Sequence, residues 1–335
     1  MTAPVQDKSY VATSFGEIAC LQTGPPDAPP VLFVHGIPTS GWLWRHVLRG
    51  LQDRFRCIAP DLMGLGDTRV DPATADFHME AQAEMLLELM ATLGHERFGL
   101  VCHDQGGAAA QIIVARQPER VQAFVITDCV AYDNWPVPTI RLLQGLARVP
   151  LVSDVLVRSG LVEWLETSTP LSSFRRGVYR GDRLEAGAIR EYLRPTRGDR
   201  RAREGFKRFL LAGGSRYTET AVEGLRRFTG PTLVLWAADD RYLSPSWGRK
   251  LFEEIPGCKR FELVPFCGHF WQEERPAEFL AYMGEFLAEH MLAVATETEA
   301  ETKSEAEPKV KPSKRKPRKR RANGSSRAAA VTGGE

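Results

Sequence analysis

The residues of this chain that can do chemistry begin with Asp104, which stands in the segment Cys-His-Asp-Gln-Gly-Gly at positions 102–107. An apolar run, residues 98–101, precedes this segment, and a helix-forming stretch, residues 108–114, follows it. A strand, a tight turn flanked by glycine and a helix are the geometry of a nucleophile elbow. A carboxylate at the apex of such a turn can displace a leaving group from a saturated carbon and form an alkyl-enzyme ester, which divides one hard step into two.

The neighbours of Asp104 satisfy the steric demands of that turn. Because the apex residue is held in a strained conformation, the residues two before and two after it must be small, and they are Cys102 and Gly106. The positive end of the helix dipole also favours a charged carboxylate at this position. The same pattern fits an ordinary strand-to-helix loop in which Asp104 caps the helix. The motif alone leaves both interpretations open.

Three further segments follow short apolar runs in the same way. His-Gly-Ile-Pro stands at 35–38. In hydrolases with a nucleophile elbow, a loop at this place presents a backbone N–H to the reacting centre. The adjacent acids Asp239 and Asp240 follow a later apolar run, and His269 follows the next one. The chain order is therefore nucleophile, acid and base, which is the order typical of an α/β-hydrolase triad.

These motifs resemble the α/β-hydrolase superfamily over about residues 10–290, in the branch that holds haloalkane dehalogenases and epoxide hydrolases. His-Gly-Ile-Pro-Thr-Ser-Gly-Trp-Leu-Trp-Arg at 35–45 is similar to the dehalogenase stretch His-Gly-Asn-Pro-Thr-Ser-x-x-Leu-Trp-Arg. Residues 58–67, Ile-Ala-Pro-Asp-Leu-Met-Gly-Leu-Gly-Asp, resemble the loop after the next strand of the same enzymes. The resemblance implies an α/β fold of the hydrolase type: a mostly parallel sheet flanked by helices, with an inserted helical lid.

The resemblance also implies a role for each candidate side chain. Asp104 would attack the carbon, and His269 would take a proton from the water that hydrolyses the ester. Asp240 would orient His269, because the family motif Trp-Gly-x-x-Asp counts from Trp236 to Asp240. Asp239 is the alternative acid.

The chain departs from both groups of relatives at the positions that hold the leaving group. The oxyanion donors implied by the resemblance are the backbone N–H groups of Ile37 and Gln105. Haloalkane dehalogenases usually have a Trp at the second of these positions, and one subgroup has an Asn at the first; both donate side-chain N–H to the halide. Gln105 can still donate, whereas the side chain of Ile37 cannot. A lid tryptophan, Trp164 or as the weaker candidate Trp135, would replace the missing donor.

Epoxide hydrolases instead use lid tyrosines that protonate the opening oxygen. Tyr179, Tyr192 and Tyr217 are available, but Phe-Lys-Arg-Phe at 206–209 stands where the second tyrosine would align. We therefore expect carbon–halogen hydrolysis, with epoxide hydrolysis as the alternative. A non-catalytic small-molecule binding protein is a further alternative, because a fold does not define a function.

Composition divides the chain into four parts. Short apolar strands alternate with helical patterns over residues 1–131 and again over residues 223–292, which predicts two parts of one α/β core. Residues 132–222 lose the strand signal and contain helical patterns broken by prolines, which predicts the helical lid. Residues 293–335 are rich in Ala, Thr, Glu, Lys, Arg and Pro, which predicts a disordered basic tail.

Two regions are strongly positive, although the whole chain has a net charge of only +2. Residues 311–335 contain nine Lys or Arg and one Glu, which would allow weak, salt-sensitive contact with nucleic acid or an anionic surface. A solvating tail without a partner is the favoured interpretation. Residues 171–216 contain thirteen Lys or Arg and five Asp or Glu, which we interpret as solvated helix faces rather than as a trap for an anionic substrate.

No motif indicates a metal or an organic cofactor, since the sequence has neither a glycine-rich phosphate loop nor a histidine pair at metal-ligand spacing. The six cysteines contain no C-x-x-C pair, the first residues lack the apolar stretch of a signal peptide, and no apolar run is long enough to span a bilayer. We expect a cytoplasmic protein whose partners are a small organic substrate and water. The oligomeric state is not predicted.

Overall fold

The computed structural model describes residues 7–149 and 152–292. The predicted basic tail, residues 293–335, lies outside the described residues.

Eight strands of the described chain form one sheet. In chain order they are β1 Ser9–Thr13, β2 Gly16–Thr23, β3 Pro30–Val34, β4 Arg56–Pro60, β5 Phe98–Asp104, β6 Val121–Cys129, β7 Thr232–Ala237 and β8 Cys258–Val264. Their order across the sheet is β1-β2-β4-β3-β5-β6-β7-β8. The strands from β3 to β8 pair in parallel, and the antiparallel hairpin of β1 and β2 extends the sheet beyond β4. The predicted mostly parallel sheet is confirmed.

Helices fill most of the connections between the strands. In chain order they are α1 Arg45–Leu51, α2 Met79–Thr92, α3 Gly106–Arg116, α4 Pro138–Ala147, α5 Val152–Arg158, α6 Leu161–Ser168, α7 Ser173–Arg176, α8 Ala186–Gly198, α9 Arg200–Ala212, α10 Arg216–Leu225, α11 Pro245–Glu254, α12 Trp271–Glu274 and α13 Pro276–Leu287. Over residues 7–149 and 152–292, none of the helices is both long enough and apolar enough to cross a membrane.

The central strands are buried on both faces because helices cover both sides of the sheet. Along β5, Leu100 and Cys102 belong to one hydrophobic cluster and Val101 belongs to the other. Residues of α2 and α3 complete the first cluster, and residues of α1 and α13 complete the second. A parallel strand covered in this way is a continuous apolar run rather than an alternating one, which is why these strands are visible in the sequence.

The connection between β6 and β7 is helical. The stretch predicted as the lid, residues 132–222, contains α4 to α9 and most of α10, and its described residues form no strand. The last of these helices packs on core helix α3 so closely that a Cβ on Gly224 would lie 2.2 Å from the Cβ of Ala115. We therefore propose that α4 to α9 are the lid and that α10 belongs to the core.

A buried carboxylate holds the loop after residues 35–38 against β4. Asp61 follows that strand and is completely buried. Its Oδ1 accepts a hydrogen bond from the backbone N–H of Gly41 at 2.8 Å, and its Oδ2 accepts one from the backbone N–H of Asp67 at 2.6 Å. The ammonium group of Lys8 lies 2.7 Å from Oδ2. These donors offset the cost of burying the charge.

Removal of this carboxylate should destabilise the core. We expect Asp61→Ala to lower the free energy of unfolding by about 3–5 kcal/mol, because the ammonium group of Lys8 and two backbone N–H groups lose their partner. Urea unfolding followed by circular dichroism measures the change. Asp27→Ala removes an exposed carboxylate and should change the stability by less than about 0.5 kcal/mol. An equal loss in both variants would contradict the role of Asp61.

Candidate active site

Asp104 lies at a tight turn between a strand and a helix. It is the last residue of β5, and α3 begins two residues later. Its φ is +52°, in the left-handed region of the backbone that residues other than glycine adopt only under strain. A Cβ on Gly36 would lie 2.2 Å from Asp104 Oδ1, and a Cβ on Gly106 would lie 2.2 Å from the carbonyl oxygen of His35. Both positions therefore require glycine.

Backbone donors from two loops hold the carboxylate. The N–H of Ile37 donates to Asp104 Oδ1 at 2.9 Å, and the nearby backbone N–H of Gln105 helps to lower the pKa of the same carboxylate. His35 holds the first loop in place. Its Nδ1 donates to the carbonyl oxygen of Gly36 and its Nε2 accepts from the backbone N–H of Leu62, both at 3.0 Å. Burial lowers the pKa of His35 to about 4, so the ring is neutral and keeps one donor and one acceptor.

The imidazole of His269 lies between two carboxylates that come from different loops. Its Nε2 is 3.4 Å from Asp104 Oδ2, and its Nδ1 donates to Asp240 Oδ2 at 2.9 Å. The other oxygen of Asp240 accepts from the backbone N–H groups of Tyr242 and Leu243 at 2.7 and 3.0 Å. The tertiary structure therefore brings together the three side chains predicted as nucleophile, acid and base.

Asp240, and not its neighbour Asp239, contacts the imidazole. The Oδ2 atom of Asp239 instead accepts from the backbone N–H of Phe266 at 3.0 Å. Consecutive side chains leave the backbone in different directions, so only one carboxylate of the pair reaches His269. Of the two acids that the sequence leaves open, the geometry selects Asp240.

The two carboxylates decide the charge of the imidazole. Burial by itself lowers the pKa of His269, but Asp240 and Asp104 outweigh this effect and raise the pKa well above its usual value. For Asp104 the directions are reversed: burial by itself raises its pKa, but the contact with His269 outweighs this effect and lowers the pKa. The resting site therefore holds an imidazolium beside the ionised carboxylate of Asp104. Because folding raises the pKa of His269, the resulting stabilisation is present at low pH and is lost as the pH rises through the folded-state value.

His103 lies directly behind this imidazole. Its Nε2 is 2.9 Å from the carbonyl oxygen of His269, which can only accept, so His103 is the donor; the two ring centroids are 4.5 Å apart. Burial and the charge of His269 lower the pKa of His103 to about 3, so its ring is neutral. The bond fixes the backbone that carries His269. Sequence reasoning passed over His103, although a histidine inside an otherwise apolar buried strand was a usable signal.

A second residue that sequence reasoning missed is Asp128. It lies near the end of β6, where its Oδ1 accepts from the backbone N–H of Ala237 at 2.9 Å and its Oδ2 accepts from the indole N–H of Trp271 at 2.8 Å. Burial and the nearby charge of Asp240 raise the pKa of Asp128 well above its usual value. Asp128 thus joins β6 to β7 and α12 beside the site. An acid at the end of a buried strand was the available signal.

A small cavity opens onto Asp104 and His269. Its volume is about 90 Å³. Most of its walls are apolar, and the residues that form them come from core loops and from the lid: Ile37, Pro38, Gln105, Val130, Trp135, Val137, Thr139, Ile140, Leu143, Ser173, Phe206, Tyr242, Leu243 and Phe270. Two of the polar groups in these walls already have partners. The hydroxyl of Tyr242 donates to the carbonyl oxygen of Ser173 at 2.5 Å, and Nε1 of Trp135 donates to Thr218 Oγ1 at 2.9 Å.

Of the lid residues predicted to bind the leaving group, Trp135 lines the cavity, whereas Trp164, Tyr192 and Tyr217 lie elsewhere. Trp164 is 56% exposed on α6. Tyr192 is buried and donates to Glu273 of α12, and the hydroxyl of Tyr217 accepts from Arg216. None of the three is among the described residues that line the cavity. The packing of α6, α8 and α10 turns these side chains to solvent, to α12 and to a neighbouring arginine.

Substitution of the orienting acid tests the electrostatics of the site. We expect Asp240→Asn to lower the pKa of His269 by about 1–3 pH units, because it removes one of the two charges that stabilise the imidazolium. The Cε1–H resonance of His269, followed by NMR against pH, reports the value. Asp239→Asn is the matched control and should leave the pKa of His269 unchanged. An equal shift in the two variants would mean that the acid is misassigned.

Comparisons with known proteins identify the family of this chain. The model of the alpha/beta hydrolase fold family matches residues 29–276. Haloalkane dehalogenase 2 of Mycobacterium tuberculosis is 28% identical over 284 residues, which cover 82% of this chain and 93% of that protein. The soluble epoxide hydrolase of a Corynebacterium species is 26% identical over 257 residues, which cover 74% of this chain and 86% of that enzyme.

The fold of this chain is also similar to that of solved structures. The crystal structure of haloalkane dehalogenase DbeA from Bradyrhizobium elkani aligns with a TM-score of 0.70 at 24% identity, over 86% of this chain and 99% of that one, which is a likeness of fold. With the family match over most of the chain, the conclusion is that this protein belongs to the α/β-hydrolase fold family and is a hydrolase of the branch that includes haloalkane dehalogenases and epoxide hydrolases.

Proposed function

We propose that this enzyme hydrolyses carbon–halogen bonds through an alkyl ester of Asp104. The observation that carries the proposal is the position of the Asp104 carboxylate, between the backbone N–H of Ile37 at 2.9 Å and the imidazole of His269 at 3.4 Å. The cavity in front of it is small and mostly apolar. A carboxylate in such a site is a weakly solvated nucleophile for a saturated carbon.

In the first step Asp104 attacks the carbon that bears the halogen. The lowered pKa of Asp104 keeps the carboxylate ionised. Oδ1 already accepts from Ile37 N–H, so Oδ2 forms the new bond to carbon. The carbon–halogen bond breaks at the same time, and its electron pair leaves with the halide. The product is a neutral ester whose carbonyl oxygen is held by the N–H groups of Ile37 and Gln105.

The second step depends on how that ester changes the imidazole. While Asp104 is ionised, two carboxylates raise the pKa of His269. Alkylation removes one of these charges, so the pKa falls and His269 releases its proton to solvent. It then takes a proton from a water molecule that attacks the carbonyl carbon of the ester. Asp240 stabilises the imidazolium that forms, and the two backbone N–H groups stabilise the oxyanion. The oxyanion then collapses and breaks the bond between the carbonyl carbon and the alkyl oxygen. The imidazolium protonates that oxygen, the alcohol leaves, and the Asp104 carboxylate is restored.

Gln105 is the residue that we assign to the departing halide. It lines the cavity directly after the nucleophile and is almost completely buried. Its Oε1 has no hydrogen-bond partner among the described residues, so the protein does not hold the amide in one orientation. The amide can therefore turn its N–H toward a departing anion, which accepts hydrogen bonds and requires no proton.

The same cavity is poorly suited to open an epoxide. That reaction leaves an alkoxide, which needs a hydroxyl donor beside it. Tyr242 is the tyrosine that lines the described part of the cavity, and its hydroxyl is engaged by the Ser173 carbonyl. Tyr192 and Tyr217 are bonded elsewhere. These contacts favour a leaving group that, like a halide, departs as a stable anion and needs no proton from a hydroxyl donor.

Replacement of the base should trap the ester. We expect His269→Phe to accumulate an adduct on Asp104 whose mass is that of the alkyl group of a bromoalkane, because only hydrolysis of the ester needs the base. Intact-protein and peptide mass spectrometry locate the adduct. The double variant Asp104→Asn/His269→Phe is the control and should stay unmodified. A single variant that neither gains mass nor releases a burst of bromide would overturn the assignment of roles.

A panel of substrates tests the leaving group. We expect bromoalkanes and iodoalkanes to react faster than chloroalkanes, and Gln105→Leu to slow halide release by about 10²-fold, the usual cost of losing one donor to a developing charge. Halide release and epoxide consumption are measured side by side. Gln52→Leu, at an exposed amide, is the control and should react as the unmodified enzyme does. Fast epoxide opening without halide release from any bromide would replace this proposal with epoxide hydrolysis.

A further inference from the structure

The outer surface of the lid exposes an unusual number of apolar side chains. Of the twelve large apolar side chains that are exposed in the described residues, eight lie between positions 142 and 171. We call seven of them the lid patch: Leu142, Leu146, Val149, Val155, Leu161, Trp164 and Leu171. Single exposed apolar residues need no explanation, but a concentration in one region marks an interaction surface.

The lid patch extends over neighbouring helices. Leu142 and Leu146 are four residues apart on α4 and share one face of that helix. α5 packs against both α4 and α6, so Val155 lies on the helix between those that carry Leu146 and Trp164. Leu171 follows closely after α6 and is 71% exposed.

The patch adjoins the catalytic cavity. The opposite face of α4 contributes Ile140 and Leu143 to the cavity wall. Leu143 is also 43% exposed, so the same side chain reaches both the cavity and the outer surface. A single helix therefore separates the catalytic cavity from whatever covers the patch.

The charge left over on these helices is positive. Arg141, Arg148 and Arg158 are exposed, and none of them forms an ion pair with another described residue. The acids of the same helices are already engaged: Asp154 lies 3.6 Å from Arg203, Glu163 pairs with Arg190 and Arg197, and Glu166 accepts hydrogen bonds from Ser172 and Ser173. The patch thus combines apolar side chains with unpaired guanidinium groups.

This combination selects the partner. A second copy docked by a two-fold axis would bring the same arginines of both copies to one interface, and like charges repel. An anionic lipid surface instead offers acyl chains to the leucines, an interface to the indole and negative headgroups to the arginines. We propose that the lid patch docks this enzyme on the surface of an anionic lipid bilayer.

The docking has a consequence for substrate supply, which rests on the proposed function. Apolar haloalkanes concentrate in lipid, and the cavity wall at Leu143 lies beside the docked surface. Docking itself does not depend on the chemistry of Asp104, so a binding assay tests it separately from any assay of turnover.

Sedimentation of the full chain with lipid vesicles tests the proposal. We expect binding to vesicles of phosphatidylcholine and phosphatidylserine in equal parts, and much weaker binding to phosphatidylcholine alone. Leu142→Glu/Trp164→Glu should lower the bound fraction at least about ten-fold, because it removes apolar insertion and adds repulsion. Leu263→Glu changes a side chain that is 44% exposed on β8 and is the matched control; it should bind normally. Thermal melting checks that all variants are folded.

Fluorescence supplies a readout that a change in folding would not imitate. Trp164 is the exposed one of the seven tryptophans, so mixed vesicles should shift its emission to the blue and Trp164→Phe should abolish the shift. Arg141→Ser/Arg148→Ser/Arg158→Ser should weaken binding to the mixed vesicles and not to phosphatidylcholine. Unchanged binding by the lid variants, with loss of binding when residues 311–335 are deleted, would overturn the proposal in favour of the tail. A dimer that the lid variants dissociate, together with no vesicle binding, would assign the patch to a second copy.

Discussion

Ionised groups buried in mutual contact are the constraint around which this molecule is built. Asp104, His269 and Asp240 are each less than a tenth exposed, and an ion removed from water costs several kcal/mol unless other groups replace its hydration. Backbone N–H groups do so for the two carboxylates, and the carboxylates do so for the imidazolium. The loops at the site therefore have to present backbone N–H groups to the buried carboxylates. The strained φ of Asp104 and the glycines pressed against it are the local cost of that arrangement.

The parallel sheet is what allows these loops to meet. The carboxyl ends of β3, β5, β7 and β8 lie at one edge, so residues that are more than a hundred positions apart in the chain become neighbours there. Helices on both faces keep that edge in place. Asp128 and His103 lie behind the reacting groups and tie the strands to one another. They belong to the support of the site rather than to the surface that meets a substrate.

Core and lid have different tasks in this arrangement. The core holds the carboxylate and the imidazole to which we assign the roles of nucleophile and base, and relatives named for two different reactions are 26–28% identical to this chain. In our proposal the choice of substrate depends on the groups that line the cavity, which come from core loops and from the lid. In this chain those groups are mainly apolar, and the Gln105 amide is a polar group among them whose Oε1 has no hydrogen-bond partner in the described residues. Helix α4 serves two environments, because its inner face closes the cavity and its outer face carries part of the lid patch.

The sequence by itself determined the elements that local chemistry controls. Buried parallel strands are continuous apolar runs, so the apolar run at residues 98–101 lies within β5, and the helix-forming stretch at residues 108–114 lies within α3. The elbow is also a local feature, because its residue types follow from steric limits within a few positions. His103 and Asp128 escaped, since each looks like an isolated polar residue until its partner from another strand is known.

Only the tertiary structure decided which side chains face the cavity. The motif count favours Asp240 over Asp239, but the direction of the turn is what brings Asp240 to the imidazole and Asp239 to a backbone N–H. Trp164, Tyr192 and Tyr217 were plausible from their types, yet the angles at which α6, α8 and α10 pack direct them away, while Tyr242 and Phe206 form part of the wall. Helix packing angles depend on contacts between segments far apart in the chain, and spacing along one segment carries no information about them.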